Sequence, residues 1–259
     1  MTPTFPTLVA FDLDGTLTPS KLPMTPTMAH AIEQLLEVCD VCIISGGKFA
    51  QFQRQFLHIL DMNKVQAQHL HLMPTCGAQY ITFDSEDEDW YSHYQLLIPD
   101  DIRQKVIRIT EATARQMGLW EAHVWGKRIE DRGSQITFSA LGQDAPAEEK
   151  SLWDPTGDKR KSLAAKIQAQ CPELDVHSGG STSVDMTMRG IDKAYGMKEL
   201  MNRLDLSPSE IIFYGDRLDE SGNDYPVTTT GVTCVMVKKW EDTLEHVEAL
   251  VQQAGTVKL

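Results

Sequence analysis

The sequence predicts an α/β protein: a doubly wound parallel sheet whose chain is interrupted by an inserted α+β segment. Two features carry this expectation. Short, continuous apolar runs alternate with helix-period stretches at both ends of the chain, the pattern of parallel strands buried on both faces and linked by helices. Between about residues 84 and 188 the texture changes to antiparallel-looking strands and two helical stretches. The apolar run at residues 8–11 opens the first half. A helix over 27–38 with Pro26 near its start, a strand over 41–44 and a helix over 49–60 complete the successive strand–helix units. In the insertion, Ile102, Val106 and Ile109 follow helical spacing, while Ile136, Phe138 and Ala140 alternate as a half-buried strand does. The first pattern resumes with a helix over 194–204, strands over 211–214 and 232–237, and a closing helix over 240–253. The expected division is a discontinuous core of residues 1–83 and 189–259, with residues 84–188 as the inserted domain.

Residues able to do chemistry cluster where these strands stop. Asp12 and Asp14, in Asp12-Leu13-Asp14-Gly15-Thr16, follow the first strand and bring two acids to one crevice, while Gly15 lets the chain turn away. A divalent cation reconciles like charges so close together; Mg²⁺ takes oxygen ligands and keeps positions for water and phosphate. Ser45-Gly46-Gly47 lies between the second strand and a helix, where a hydroxyl and main-chain N–H groups suit an anion. Lys193 opens the later helix, placing an ammonium where it can neutralise a phosphate and an aspartate together. Gly215-Asp216 ends the strand after it and is followed by Gly222-Asn223-Asp224. Taken singly, each matches an ordinary acidic turn, strand–helix turn or solvated lysine. In the insertion, Ser183 and Asp185 share a strand face opposite Val184 and Met186, and that face can hydrogen-bond a sugar.

These four elements, in this order, resemble the haloacid-dehalogenase superfamily of phosphatases and phosphotransferases (subfamily IIB, Cof-like), and within it the eukaryotic-type phosphomannomutases. FDLDGTLT resembles the nucleophile loop, IEDRGSQITFSALGQ a strand pair of the family's cap, SGGSTSVDMTMRGIDK the cap exit and lysine, and YGDRLDESGNDYPV the acidic metal loop. The resemblance implies a Rossmann-like core with an α+β cap that closes over a sugar phosphate. It implies Asp12 as nucleophile, Asp14 as proton donor and acceptor, and Ser45 and Lys193 as binders of the phosphoryl oxygens. Mg²⁺ would be held by Asp12, the main-chain carbonyl of Asp14 and Asp216, with Asn223 and Asp224 orienting Lys193 or a metal-bound water. Substrate binding would fall to Lys21, Gly46, Arg132, Gln143, Lys150, Ser183 and Asp185.

Two positions depart from that pattern. Gln143 and Lys150 stand where the family carries phosphate-binding arginines, and charge-assisted bidentate contacts are roughly twice as strong as neutral ones. A weakened second anion site predicts a Mg²⁺-dependent sugar-phosphate phosphatase working through an aspartyl-phosphate. The alternative is a phosphomannomutase-type interconversion of hexose 1- and 6-phosphates.

Composition narrows the partners. A net charge of −13 argues against nucleic acid, so any anion must be bound by a local positive site. No apolar run reaches membrane-span length, and Met1-Thr2-Pro3 opens no signal peptide, which predicts a cytoplasmic protein. Five cysteines, an odd number, fit a reducing compartment, with Cys39 and Cys42 read as structural thiols. His69-Leu70-His71 is expected in a half-exposed strand or loop. A phosphorylated sugar is the expected ligand, and a homodimer through the cap remains open.

Overall fold

The computed structural model describes residues 5–19, 21–220 and 222–257. The run Leu-Val-Ala-Phe forms β1 (Leu8–Phe11), with all four side chains buried. A strand with neighbours on both edges and helices on both faces has no solvent side, which is why it reads as a continuous apolar run. In chain order follow α1 (Pro26–Leu35), β2 (Asp40–Ile44), α2 (Phe49–Phe52) running into a π-turn (Gln53–Leu57), α3 (Lys64–Gln68), β3 (Leu70–Met73), β4 (Gln79–Asp84) and β5 (Asp89–Gln95). Then come α4 (Asp100–Gln116), β6 (Ile129–Asp131), β7 (Gln135–Ser139), α5 (Ala147–Trp153), α6 (Asp158–Gln168), β8 (Leu174–Ser178) and β9 (Ser183–Met188). The chain closes with α7 (Lys193–Leu204), β10 (Ile211–Gly215), β11 (Thr233–Met236) and α8 (Trp240–Val257).

Two units separate at residues 95/96 and 191/192. The first carries a seven-stranded sheet in the order β11-β10-β1-β2-β3-β4-β5, parallel from β11 to β3 and antiparallel in its last two pairings. Two apolar clusters cover its faces, one around Phe11, Ile32, Ile43 and Phe56, the other around Leu8, Ile44, Met197 and Phe213. The second unit is a four-stranded antiparallel sheet, β6-β7-β9-β8, with its own core around Val106, Phe138, Ile167 and Met186. Each such fully buried side chain contributes about 1.5–3 kcal/mol.

The structure redraws several expected boundaries. The hairpin β4–β5 pairs with β3 and belongs to the first unit, so the division falls at 95/96 rather than 83/84 and at 191/192 rather than 188/189. Tyr80 and Ile81 are buried in that hairpin, and the acidic run 84–89 includes its turn. His71 lies in β3, a wholly buried strand rather than a half-exposed one. Its ring is tolerated there because Nδ1 meets the Tyr80 hydroxyl at 2.9 Å and Nε2 faces Asp40 Oδ2 at 3.7 Å. The helix expected over 49–60 ends early, in the π-turn. The insertion has three helices among the described residues, α4, α5 and α6, where two helical stretches are expected. Cys39 and Cys42 are unpaired, and burial pushes the Cys39 thiol up to about 12 and the Cys42 thiol higher still, which leaves both unreactive.

One close approach sets the position of α7, the helix that begins with Lys193. Gly196 packs against Gly77, and a Cβ on Gly196 would lie 2.6 Å from Ile44 Cδ1, 3.0 Å from Gly77 Cα and 3.1 Å from the Cys76 carbonyl oxygen. Gly196→Ala is therefore expected to lower stability by about 1–3 kcal/mol through overpacking. It should also displace Lys193, which stands at the first position of α7. A denaturant midpoint unchanged by the substitution would show that the contact has slack.

Candidate active site

Asp12 follows β1 directly, held by its N–H to the Tyr214 carbonyl at 2.9 Å. The chain then turns at Gly15, which has φ +89°, and a Cβ there would lie 2.6 Å from Asp216 Oδ2. Glycine thus serves twice, for the left-handed turn and for the approach of Asp216. Asp216 follows β10, and Gly215 gives way in the same manner to Asp224, whose Oδ2 would lie 2.6 Å from a Cβ. Asp224 Oδ2 accepts the Arg217 N–H at 3.0 Å, which pins the loop.

Lys193 is fully buried at the first position of α7, behind Asp192 as N-cap, whose carboxylate accepts the Tyr195 N–H at 2.9 Å. Its Nζ donates to Asp12 Oδ1 and, at 2.5 Å, to Asp224 Oδ1. Asp12, Asp216 and Asp224 bring carboxylate oxygens within 4.8 Å of one another. Three carboxylates face one ammonium, two negative charges in excess in a buried place. Burial, opposed by Lys193 and reinforced by Asp224 and Asp216, holds the Asp12 carboxyl well above the usual range. Burial and Asp224 push Asp216 up to about 6. Burial pulls the Lys193 ammonium downward, but Asp12 and Asp224 outweigh it and hold the pKa well above that of a free lysine. An all-oxygen donor set with surplus negative charge fits a hard divalent cation.

Ser45 ends β2 at the same end of the sheet, 4% exposed, with its Oγ accepting the Gly47 N–H at 3.3 Å and its carbonyl accepting the Cys76 N–H at 2.9 Å. Gly46 is the next residue of that loop. Asp14 stands apart from the lysine cluster. Its Oδ1 accepts the Lys21 N–H at 2.6 Å and Gln55 Nε2 at 3.0 Å, and its Oδ2 accepts Gln51 Nε2 at 2.9 Å. Lys21 itself is exposed, at φ +60°, and touches the site through its main-chain N–H. Asn223 is exposed, whereas Asp224 touches Lys193 directly.

In the second unit, Arg132 Nε and Nη2 donate to Glu130 Oε2 at 3.0 and 2.9 Å, both side chains being mostly buried. Lys150 Nζ donates to the Gln143 carbonyl at 2.9 Å, and Gln143 Nε2 is buried with no partner among the described residues. Ser183 and Asp185 lie on β9, half-buried on the face opposite the buried Val184 and Met186. Asp185 pairs in register with Thr137, whose hydroxyl donates to Asp185 Oδ1 at 2.6 Å. Sequence reasoning missed Gln51, Gln55, Glu130 and Thr137. Amides and acids on helix and strand positions read as solvated, and only the four-residue spacing of Gln51 and Gln55 hints that they share a face.

Comparison with known proteins follows the same lines. The family description "Eukaryotic phosphomannomutase" matches residues 28–253. A phosphomannomutase of Spinacia oleracea is 25% identical over 253 residues, covering 93% of this chain and 94% of its own. That of Arabidopsis thaliana is 27% identical over 235 residues, covering 85% and 86%. Among solved structures, an IMP-nucleotidase of Plasmodium falciparum superposes with a TM-score of 0.71 at 15% identity, over 95% of this chain and 68% of that one. A haloacid dehalogenase-like hydrolase from Bacteroides thetaiotaomicron gives 0.62 at 15%, over 94% and 98%. These likenesses establish the fold.

The expectation of a phosphatase is overturned by the family match and by the Spinacia oleracea and Arabidopsis thaliana relatives, all of which are named phosphomannomutase. Its physical basis was too strict. Lys150 keeps a cation, and Gln143 keeps an N–H donor that is buried with no partner among the described residues, so neither position has lost its hydrogen-bond donors. The chain is an enzyme of the haloacid-dehalogenase phosphotransferase type and belongs to the eukaryotic phosphomannomutase family.

Proposed function

We propose that the chain interconverts hexose 1- and 6-phosphates through an aspartyl-phosphate on Asp12, with a hexose bisphosphate as the intermediate that changes hands. The observation carrying the phosphoryl-transfer reading is the buried Lys193, joined to Asp12 and Asp224 beside Asp216. The choice of mutase over hydrolase rests on the relatives.

Asp12 attacks phosphorus in line, the bond from phosphorus to the sugar oxygen breaks, and Asp14 gives that oxygen its proton. In the return half-reaction Asp14 takes the proton from the accepting hydroxyl as the phosphoryl group leaves Asp12. Lys193, Ser45 and the N–H of Gly46 take the phosphoryl oxygens and spread the charge that builds in the transition state. Asp224 holds Lys193 in place, and Asn223 borders that loop. Asp12, Asp216 and the Asp14 carbonyl would hold Mg²⁺, which when bound supplies the positive charge that lets a phosphate approach two carboxylates. Arg132, Gln143, Lys150, Ser183 and Asp185 bind the part of the sugar phosphate that is not reacting, with Lys21 beside Asp14.

Exhaustive chelation is expected to lower turnover about 10³-fold, since such a cation is worth several kcal/mol, and Mg²⁺ should restore it. Full activity after metal removal would sink the metal assignment. The mutase reading is tested by supplying a hexose 1-phosphate with a catalytic amount of hexose bisphosphate and following isomer ratio and phosphate release together. Isomerisation should outrun phosphate release; the reverse order would refute the reading.

A further inference from the structure

Asp14 is gripped by two glutamines that neither the metal nor the phosphate requires. Gln51 lies in α2 and Gln55 in the π-turn that continues it, and both direct Nε2 at the Asp14 carboxylate, one to each oxygen. Helices widened by a π-turn recur at functional sites. The orientation of the Gln55 amide is set by its surroundings. Its Nε2 faces three oxygens, those of Asp14 at 3.0 Å, the Leu22 carbonyl at 3.0 Å and the Thr18 hydroxyl at 3.4 Å. Flipping the amide would set its own oxygen against the carboxylate and the carbonyl, which are acceptors only. Gln55 Oε1 is buried with no partner among the described residues, a cost accepted so that the N–H side can face Asp14. Gln51 lies over the phosphate loop: a Cβ on Gly47 would meet Gln51 Oε1 at 2.5 Å and Cδ at 2.7 Å, so glycine at 47 makes room for the amide to reach Asp14.

We propose that Gln51 and Gln55 are positioning residues for proton transfer, fixing the carboxyl of Asp14 in the orientation from which it protonates the leaving sugar oxygen and deprotonates the accepting one. This inference rests on the proposed acid–base role of Asp14. A general acid must come within hydrogen-bond reach of the oxygen it serves, and an aspartate on a turn has two free side-chain torsions unless it is tethered. The two amides supply one tether to each oxygen, and the Lys21 N–H adds a third. Gln55 also anchors the strap it touches at Thr18 and Leu22, and its carbonyl accepts the Met24 N–H at 2.8 Å, so its loss could act by loosening that strap. The side-chain amide of Gln51 donates only to Asp14 among the described residues, which makes Gln51 the cleaner probe.

The test compares two leaving groups in a single turnover. A hexose alkoxide must be protonated as it departs; 4-nitrophenolate need not be. Release of each is followed from a hexose 1-phosphate and from 4-nitrophenyl phosphate in the Mg²⁺-loaded parent, Gln51→Met, Gln55→Met and Asp14→Asn, with thermal melting as a check on folding. General acid–base catalysis is commonly worth 10²–10⁴-fold, so losing one tether is expected to slow hexose release about 10- to 100-fold. Nitrophenolate release should change less than about threefold. Equal slowing of both substrates in Gln51→Met, or no slowing of either, overturns the inference while leaving the acid–base reading intact if Asp14→Asn is selective for the hexose. If Asp14→Asn itself slows both equally, the acid–base reading fails and the inference with it.

Discussion

Asp12→Asn is expected to lower turnover by about 10⁴- to 10⁶-fold, the scale of losing a covalent nucleophile, while the folded protein survives unharmed. An amide occupies the same volume but cannot attack phosphorus. The stability half of this expectation follows from charge. Burial and two neighbouring carboxylates hold the Asp12 carboxyl well above its usual range, so the ionised side chain opposes folding when no cation is bound. A carboxyl whose pKa is raised in the folded state contributes stability that is fully present below its unfolded pKa and is lost as pH climbs through the folded one. Near neutral pH, replacing it with a neutral amide should leave the metal-free protein as stable as before or more so. Lys193 keeps Asp224 as its partner, and the surplus of negative charge falls from two to one. Thermal melting in chelator with a turnover assay in Mg²⁺ checks both halves. Near-normal activity in pure variant protein would end the covalent mechanism.

Lys193→Met should do the opposite to stability. It leaves Asp12 and Asp224, at 3% and 0% exposed, without their shared ammonium. Removing one partner of a buried ion pair typically costs about 3–5 kcal/mol, because the charge left behind is neither solvated nor paired. Turnover should fall about 10²- to 10³-fold as well, as when one preorganised donor to a transition-state oxygen is lost. Urea unfolding and kcat in saturating Mg²⁺ measure the two effects. A stability loss below about 1 kcal/mol would show that the lysine is no electrostatic keystone of the fold.

Much of this arrangement is legible in the sequence because buried parallel strands leave an unmistakable trace. β1, β2 and β10 each read as an apolar run, and each ends in the acid or serine that matters. Lys193 was legible through its place at a helix start, but its complete burial between two aspartates was not, since nothing local marks a lysine whose partners lie 181 and 31 residues away. β3 escaped for a related reason. His71 looks solvent-facing until the Tyr80 hydroxyl, nine residues on, comes into reach. The β4–β5 hairpin alternates as an insertion strand does, and only its pairing with β3 assigns it to the core sheet. Gln51 and Gln55 look like solvated helix amides, and their common target, Asp14, is 37 and 41 residues away. At Gln143 the missing charge is legible in the sequence, whereas the N–H it keeps, buried with no partner among the described residues, depends on tertiary packing that no local pattern marks.

The central claim is that a phosphoryl group carried by Asp12 passes to a second sugar rather than to water. A hexose bisphosphate labelled in its phosphates is mixed with Mg²⁺-loaded protein, and unlabelled hexose monophosphate is then added as a chase. The account predicts acid-stable label on Asp12, absent in Asp12→Asn, which the chase moves into hexose bisphosphate within one turnover. Label that appears only as inorganic phosphate, or that never attaches to Asp12, would contradict it.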